Sequence, residues 1–136
     1  MAPQGRPRRP PTGCSVVLVE DHPLLRRRFA GQLADAGLAV VATVDTCAAG
    51  LIAVRDHRPA VVVVDSRLAD GRGVEFCRRV RHEIPHMVML LHTRLITAAE
   101  EQEALAAGVA AVVPKAIRGR ALVGAVRAHG PSGSAG

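Results

Sequence analysis

The chain of 136 residues has no Trp, no Tyr and only two Phe. So few rings leave no platform on which single-stranded bases could stack. Lysine is almost absent as well: among 18 basic side chains, Lys115 is the one lysine and the rest are arginines. Cys14, Cys47 and Cys77 are odd in number, widely spaced and form no CxxC pair. That pattern argues against a disulfide framework or zinc site and for small buried hydrophobes. No apolar run approaches the ~18 residues of a membrane span, and the N-terminus lacks the apolar middle region of a secretory signal. These absences together point to a cytoplasmic protein without membrane contact.

What is present is a folding sequence, 49% hydrophobic and long enough for one domain with a real core but not two. The net charge of +6 has a local origin, because Arg6, Arg8 and Arg9 supply half of it. They lie in residues 1–14, "MAPQGRPRRPPTGC", which read as a flexible, basic, Pro-rich arm with a solubilising role. The remaining charge is ordinary for a domain, so sequence-specific DNA binding is not expected. Residues 130–136, "GPSGSAG", read as a disordered tail, which leaves residues 15–129 as the domain.

That domain alternates strand and helix patterns. "SVVLVE" (15–20), "LAVVATV" (38–44), "AVVVVD" (60–65), "MVMLLHT" (87–93) and "AAVVP" (110–114) are short apolar runs. Between them, Leu25, Phe29, Leu33 and Ala36 recur at helical spacing over 22–37, ended by Gly37. Further helices are expected at 46–57 with Thr46 as N-cap, at 72–83, at 97–107 with Thr97 and Glu100 as a capping box, and at 117–128. Runs that are continuously apolar, rather than alternating, are strands covered on both faces by helices, hence a parallel sheet in an α/β fold. In such open sheets functional groups gather beyond the carboxyl ends of the strands.

Those ends carry Glu20 and Asp21, then Asp65, Thr93 and Lys115. Taken singly, Asp65 could merely cap a turn; taken together, the residue types make chemical sense. Three carboxylates in one crevice repel one another and call for a cation. A hard divalent ion such as Mg²⁺, with carboxylate, carbonyl and water ligands, meets that need. A compact ammonium offsets more of the charge, and a Thr hydroxyl can donate to an oxyanion. This is a site suited to receiving a phosphoryl group on a carboxylate.

At these residues the sequence resembles the receiver domains of two-component response regulators, over nearly the whole unit from Ser15 to His129. "VEDHP" matches the family's acidic pair, Asp65 lies 44 residues beyond Asp21, and Gly73 lies eight beyond Asp65. Thr93 matches the hydroxyl position, and Lys115 follows 22 residues later with Gly108 between. The resemblance implies a doubly wound five-stranded parallel sheet of flavodoxin-like order 2-1-3-4-5, with helices on both faces. It implies Asp65 as phosphoacceptor, with Glu20, Asp21, Asp65 and the backbone carbonyl of Arg67 holding Mg²⁺. Lys115 would pair with the phosphoryl oxygens and Thr93 would turn inward on phosphorylation. The implied partners are a histidine kinase or phosphotransfer protein and a downstream protein target, with a phosphorylation-dependent homodimer as a further option. The likeness leans toward the subfamily joined to a helix-turn-helix output domain, and the chain is expected to act as a stand-alone receiver in a phosphorelay.

Four positions depart from the family pattern. Val112 replaces the aromatic switch residue, Leu68-Ala69 replaces Met-Pro, and Ala116 follows Lys115 where Pro is common, so no cis bond is expected there. Arg94 follows Thr93 where small residues prevail, and could either crowd the pocket or pair with phosphate. Val112 and Arg94 keep open a second reading, a phosphorylation-independent receiver-fold interaction module. A phosphatase-like enzyme is disfavoured because Arg67 stands where a general acid would be needed; no enzyme is expected. Arg26, Arg27 and Arg28 read as a solvated helix face, His22 as a solvated helix-start residue, and His92 as a strand residue rather than a ligand.

Overall fold

The valine-rich runs do form the centre of a parallel sheet. The computed structural model describes residues 14–116 and 118–131. In chain order the elements are β1 (Ser15–Val19), α1 (Pro23–Asp35), β2 (Ala39–Val44), α2 (Cys47–His57) and β3 (Val61–Asp65). Then come two-residue strands β4 (Arg67–Leu68) and β5 (Gly71–Arg72), α3 (Gly73–Glu83), β6 (Val88–Thr93), α4 (Ala98–Ala106), β7 (Ala111–Pro114) and α5 (Arg120–His129). The main sheet has the order β2-β1-β3-β6-β7, all parallel, which is the expected 2-1-3-4-5 arrangement once the small β4–β5 pair is set aside.

Two apolar layers lock the helices to the sheet. Because strand side chains alternate between faces, Val17, Val19, Val62, Val64, Met89 and Leu91 pack with α2, α3 and α4 residues such as Val54, Phe76, Cys77 and Ala104. Val16, Leu18, Val61, Val63 and Leu90 pack with Phe29 and Leu33 of α1 and Leu122 and Val126 of α5. The central strands β1 and β3 have paired neighbours on both sides and are buried over residues 16–19 and 61–64, so their carboxyl ends are rigid mounting points.

The ends of several elements differ from the sequence expectation. Helix α1 stops at Asp35 with Ala36 as C-cap, two residues short of 37, and Gly37 closes it as expected: it is left-handed (φ 87°) and donates to Ala34 O at 2.9 Å, while Leu38 N donates to Leu33 O at 3.1 Å. Helix α5 begins at Arg120 instead of 117, because Gly119 adopts a left-handed conformation (φ 67°) that no helix continues through. Helix α4 spans Ala98–Ala106 with the expected capping box closed by Thr97 and Glu100. The β4–β5 pair is an addition: two-residue strands carry no periodicity for sequence reasoning to detect.

Both domain limits move outward by one residue. Cys14 is buried and its carbonyl accepts from Ala39 N at 3.0 Å, so it belongs to the core and not to the arm. Gly130 closes α5 by donating to Val126 O at 2.8 Å, so it belongs to the helix terminus and not to the tail. The rest of the arm (1–13) and of the tail (132–136) lies outside the described residues. No cis peptide bond occurs among the described residues.

Gly73, the first residue of α3, is where backbone crowding is greatest near the phosphoacceptor candidate. A Cβ there would overlap the carbonyl oxygen of Asp65 and come within 3.0 Å of Leu91 Cδ1. The substitution Gly73→Ala is expected to cost about 1–3 kcal/mol of folding stability, as overpacking against backbone does. Urea unfolding of the variant against the native chain measures it, and an unchanged midpoint would contradict the packing described.

Candidate functional site

Lys115 stands at the centre of the site. It follows Pro114, the last residue of β7, and its amide donates to Thr93 O at 2.9 Å, which extends the β6–β7 pairing past the strand end. Its ammonium is largely buried and lies 2.8 Å from Glu20 Oε1 and 3.1 Å from Asp65 Oδ2. One point charge thus joins the tips of β1, β3 and β7.

Glu20 is 1% exposed, the most enclosed of the acidic groups here. Its amide donates to Val44 O at 2.9 Å, which continues the β1–β2 ladder by one residue and fixes the side chain's direction. Its Oε2 accepts from His22 N at 3.2 Å. Burial pushes the Glu20 carboxyl above the usual range; the Lys115 hydrogen bond pulls it back down and the Asp65 charge adds to the rise. Asp21 is exposed at the mouth and makes no ion pair among the described residues. One carboxylate oxygen each from Glu20, Asp21 and Asp65 lie within 4.8 Å of one another.

The donor set fits a magnesium ion. All three groups are hard oxygen ligands on rigid strand ends, and Lys115 alone leaves them with an excess of negative charge. Asp65 Oδ1 has the Arg67 amide at 3.5 Å as a distant donor, and the Arg67 side chain is exposed.

Thr93 is buried and its hydroxyl is engaged: it donates to Leu95 O at 3.2 Å and lies 2.8 Å from Ser66 Oγ. Asp65, Ser66, Arg67, Thr93, Arg94, Leu95 and Lys115 line one cavity of about 340 Å³. Arg94 is exposed and contributes to its wall. Glu20, Asp21, Asp65, Thr93 and Lys115 are therefore gathered at one end of the sheet.

Some neighbours behave differently from expectation. Arg26 is half-buried rather than solvated, because its guanidinium donates to Glu20 O at 2.9 Å. His22 is exposed but not idle: its Nδ1 accepts from Leu25 N at 3.2 Å and caps α1. Sequence reasoning missed Ser66, although its place directly after Asp65 was the available signal. It also missed Asp70, whose carboxylate accepts from Cys47 N at 2.7 Å and Ala48 N at 3.0 Å across the β3–α3 connection. Val112 is half-buried against the α2–α4 layer and is no ring in waiting. Cys14 and Cys77 are buried and Cys47 half-buried, and none of the three is in a disulfide.

His92 is the oddity of the site. It is the residue of β6 paired with Asp65, 1% exposed, with its ring edge-on to Phe29 at 4.5 Å between centroids. Neither ring nitrogen has a hydrogen-bond partner among the described residues.

The sequence matches the response regulator receiver domain family over residues 16–127, and the chain belongs to that family. It is 36% identical over 113 residues to the DNA-binding transcriptional activator DevR/DosR of Mycobacterium tuberculosis, covering 82% of this chain and 52% of that protein. It is 35% identical over 88 residues to a protein-glutamate methylesterase/protein-glutamine glutaminase of Natronomonas pharaonis, covering 65% of this chain and 25% of that protein. The signal receiver domain of the response regulator NarL from Mycobacterium tuberculosis superimposes with a TM-score of 0.77 at 29% identity, covering 83% of this chain and 92% of that one. The chain thus spans about half the length of one of these curated relatives and a quarter of the other. Among the described residues no helix is long and apolar enough to cross a membrane.

The imidazole of His92 carries an acid-side instability. Burial, with the Lys115 charge adding to it, lowers its pKa from 6.5 to about 4. Between those values the unfolded chain binds the proton and the folded chain does not, so stability falls as pH drops through that window. The difference is worth about 3 kcal/mol at ~1.4 kcal/mol per pH unit. Urea unfolding at pH 7 and pH 4 is expected to show the native chain losing about that much more than His92→Leu. Equal losses would contradict a buried neutral imidazole.

Proposed function

We propose that this domain is a phosphorylation-dependent signalling switch that accepts a phosphoryl group on Asp65 from a histidine kinase or phosphotransfer partner. The observation that carries it is the Lys115 ammonium held between Glu20 and Asp65 with Asp21 alongside. Lys115 engages Oδ2 of Asp65, which leaves Oδ1 to attack phosphorus. A P–O bond to Asp65 forms, the P–N bond of the partner's phosphohistidine breaks, and its electron pair returns to the imidazole nitrogen. Glu20, Asp21, Asp65 and the carbonyl of Arg67 would hold Mg²⁺, which supplies positive charge opposite the incoming phosphoryl oxygens.

The aspartyl phosphate carries roughly −1.5 to −2 charge where the carboxylate carried −1, a net gain of roughly −0.5 to −1 at this end of the sheet. Lys115 then exchanges a carboxylate partner for phosphoryl oxygens. Thr93 gives up its bonds to Leu95 O and Ser66 to donate there instead. That exchange pulls on the β6–α4 connection and biases a two-state rearrangement of α4, β7 and α5. With Val112 in place of a ring, the output is carried by backbone displacement in that connection. The downstream partner is a protein, met on the surface of the last two helices, and the setting is cytoplasmic. No independent enzymatic turnover is assigned.

A second reading is favoured by Arg94 at the cavity wall and by Val112. On that reading the domain keeps the fold and binds its partner without phosphorylation.

Incubation with a small-molecule phosphodonor and Mg²⁺, followed by intact-mass measurement, separates the two. A single phosphoryl adduct is expected in the native chain and none in Asp65→Asn. No adduct with any donor would support the second reading. Rapid multi-turnover release of phosphate from unrelated phosphomonoesters would instead mark a phosphatase.

A further inference from the structure

Helix α2 has no acidic residue in its first turn, yet its N-terminal amides are all accounted for. Thr46 Oγ1 accepts from Ala49 N at 3.1 Å. The amides of Cys47 and Ala48 donate to the two oxygens of Asp70, at 2.7 and 3.0 Å, from a segment 22 to 23 residues further along the chain. Those two backbone bonds hold the Asp70 carboxyl below the usual carboxylate range. The charge also sits at the positive end of the helix dipole.

Asp70 lies at the tip of the small hairpin, where Arg67 pairs with Arg72 and Leu68 with Gly71. A ladder of two pairs does not hold itself together. Its root is fixed where Gly73 N donates to Ser66 O at 2.9 Å. The flank is held by buried Leu68 and by the ion pair of Arg72 with Glu103 of α4 at 2.6 Å. Leu68 contributes contact without direction, and the Arg72 pair is exposed and screened. The two bonds of Asp70 are directional and charge-assisted, and they fix the tip on α2, whose own place is set by the core. Between root and tip lies Arg67, with its amide facing Asp65 Oδ1.

We propose that Asp70 is a positioning residue: by capping α2 it sets the backbone of Ser66–Arg67 beside Asp65, and so tunes the cation affinity of the site. The proposal rests on the reading of Glu20, Asp21 and Asp65 as a Mg²⁺ site. Removing a group that orients a metal ligand typically lowers affinity about 10–100-fold.

Thr46 provides the control, since its hydroxyl caps the same helix from within α2's own turn, through Ala49 N. The chain lacks Trp and Tyr, so Mg²⁺ is titrated by amide NMR on the native chain, Asp70→Ala, Asp70→Asn and Thr46→Ala. Both alanine variants are expected to lower the urea midpoint. Asp70→Ala should weaken Mg²⁺ binding by about tenfold and speed amide exchange from Ser66 to Gly73. Asp70→Asn, which keeps one acceptor oxygen, should fall between Asp70→Ala and the native chain. Thr46→Ala should leave both the Mg²⁺ affinity and the loop exchange as they are. Native affinity and native loop exchange in Asp70→Ala, or equal losses in Thr46→Ala, would overturn the proposal. A native chain that binds no Mg²⁺ would count against the metal reading, and the exchange rates of Asp70→Ala would still decide the role of Asp70.

Discussion

The ammonium of Lys115 is the constraint on which the rest of the site depends. Two carboxylates, Glu20 and Asp65, approach the same buried point from neighbouring strands, and a single cation lies within 3.1 Å of both. Without it, Glu20 would be an enclosed charge with only a backbone amide for relief, an arrangement that costs several kcal/mol. With it, the site still carries more negative than positive charge, which is why it can take a further cation. The same ammonium keeps Asp65 oriented while leaving one of its oxygens lightly engaged.

The core makes that arrangement rigid. Residues 61 to 64 are four valines with no exposed surface, so β3 ends as a fixed post with Asp65 on top. Backbone bonds then carry each neighbour one step past its strand: Glu20 onto Val44, and Lys115 onto Thr93. Strand pairing, continued just beyond the last apolar residue, converts the sheet's regularity into the placement of charged groups. What can move is less well tied. Thr93 shares its hydroxyl between two partners, and solvent-facing ion pairs of Glu103 with Arg72 of β5 and Arg78 of α3 supplement the apolar contact of α4 at Ala104.

The site side chains were legible in sequence for a simple reason. Glu20, Asp65, Thr93 and Lys115 each stand at or just past the end of an apolar run, and the runs themselves mark buried parallel strands. Strand order was not legible from the runs alone and came from the family resemblance. The misses share another cause. Asp70 acts on amides 22 to 23 residues earlier in the chain, and Arg26 turns from the solvated face of its helix to the carbonyl of Glu20. Cys14 belongs to the sheet through a bond to Ala39 that its Pro-rich surroundings gave no sign of. Each is a tertiary contact with no local period. Val112 and Arg94 are legible as departures from the family pattern, but not their surroundings: Val112 lies half-buried against the core and Arg94 stands at the cavity wall.

The lone lysine makes the central contact directly observable, because the chain has a single side-chain ammonium. Its ¹⁵Nζ resonance, recorded at neutral pH, reads the contact without assignment. The account expects ammonium protons that exchange slowly with water, shift in both Glu20→Gln and Asp65→Asn, and shift again when phosphodonor and Mg²⁺ are added. A signal that exchanges like a free lysine and ignores all three changes would contradict it.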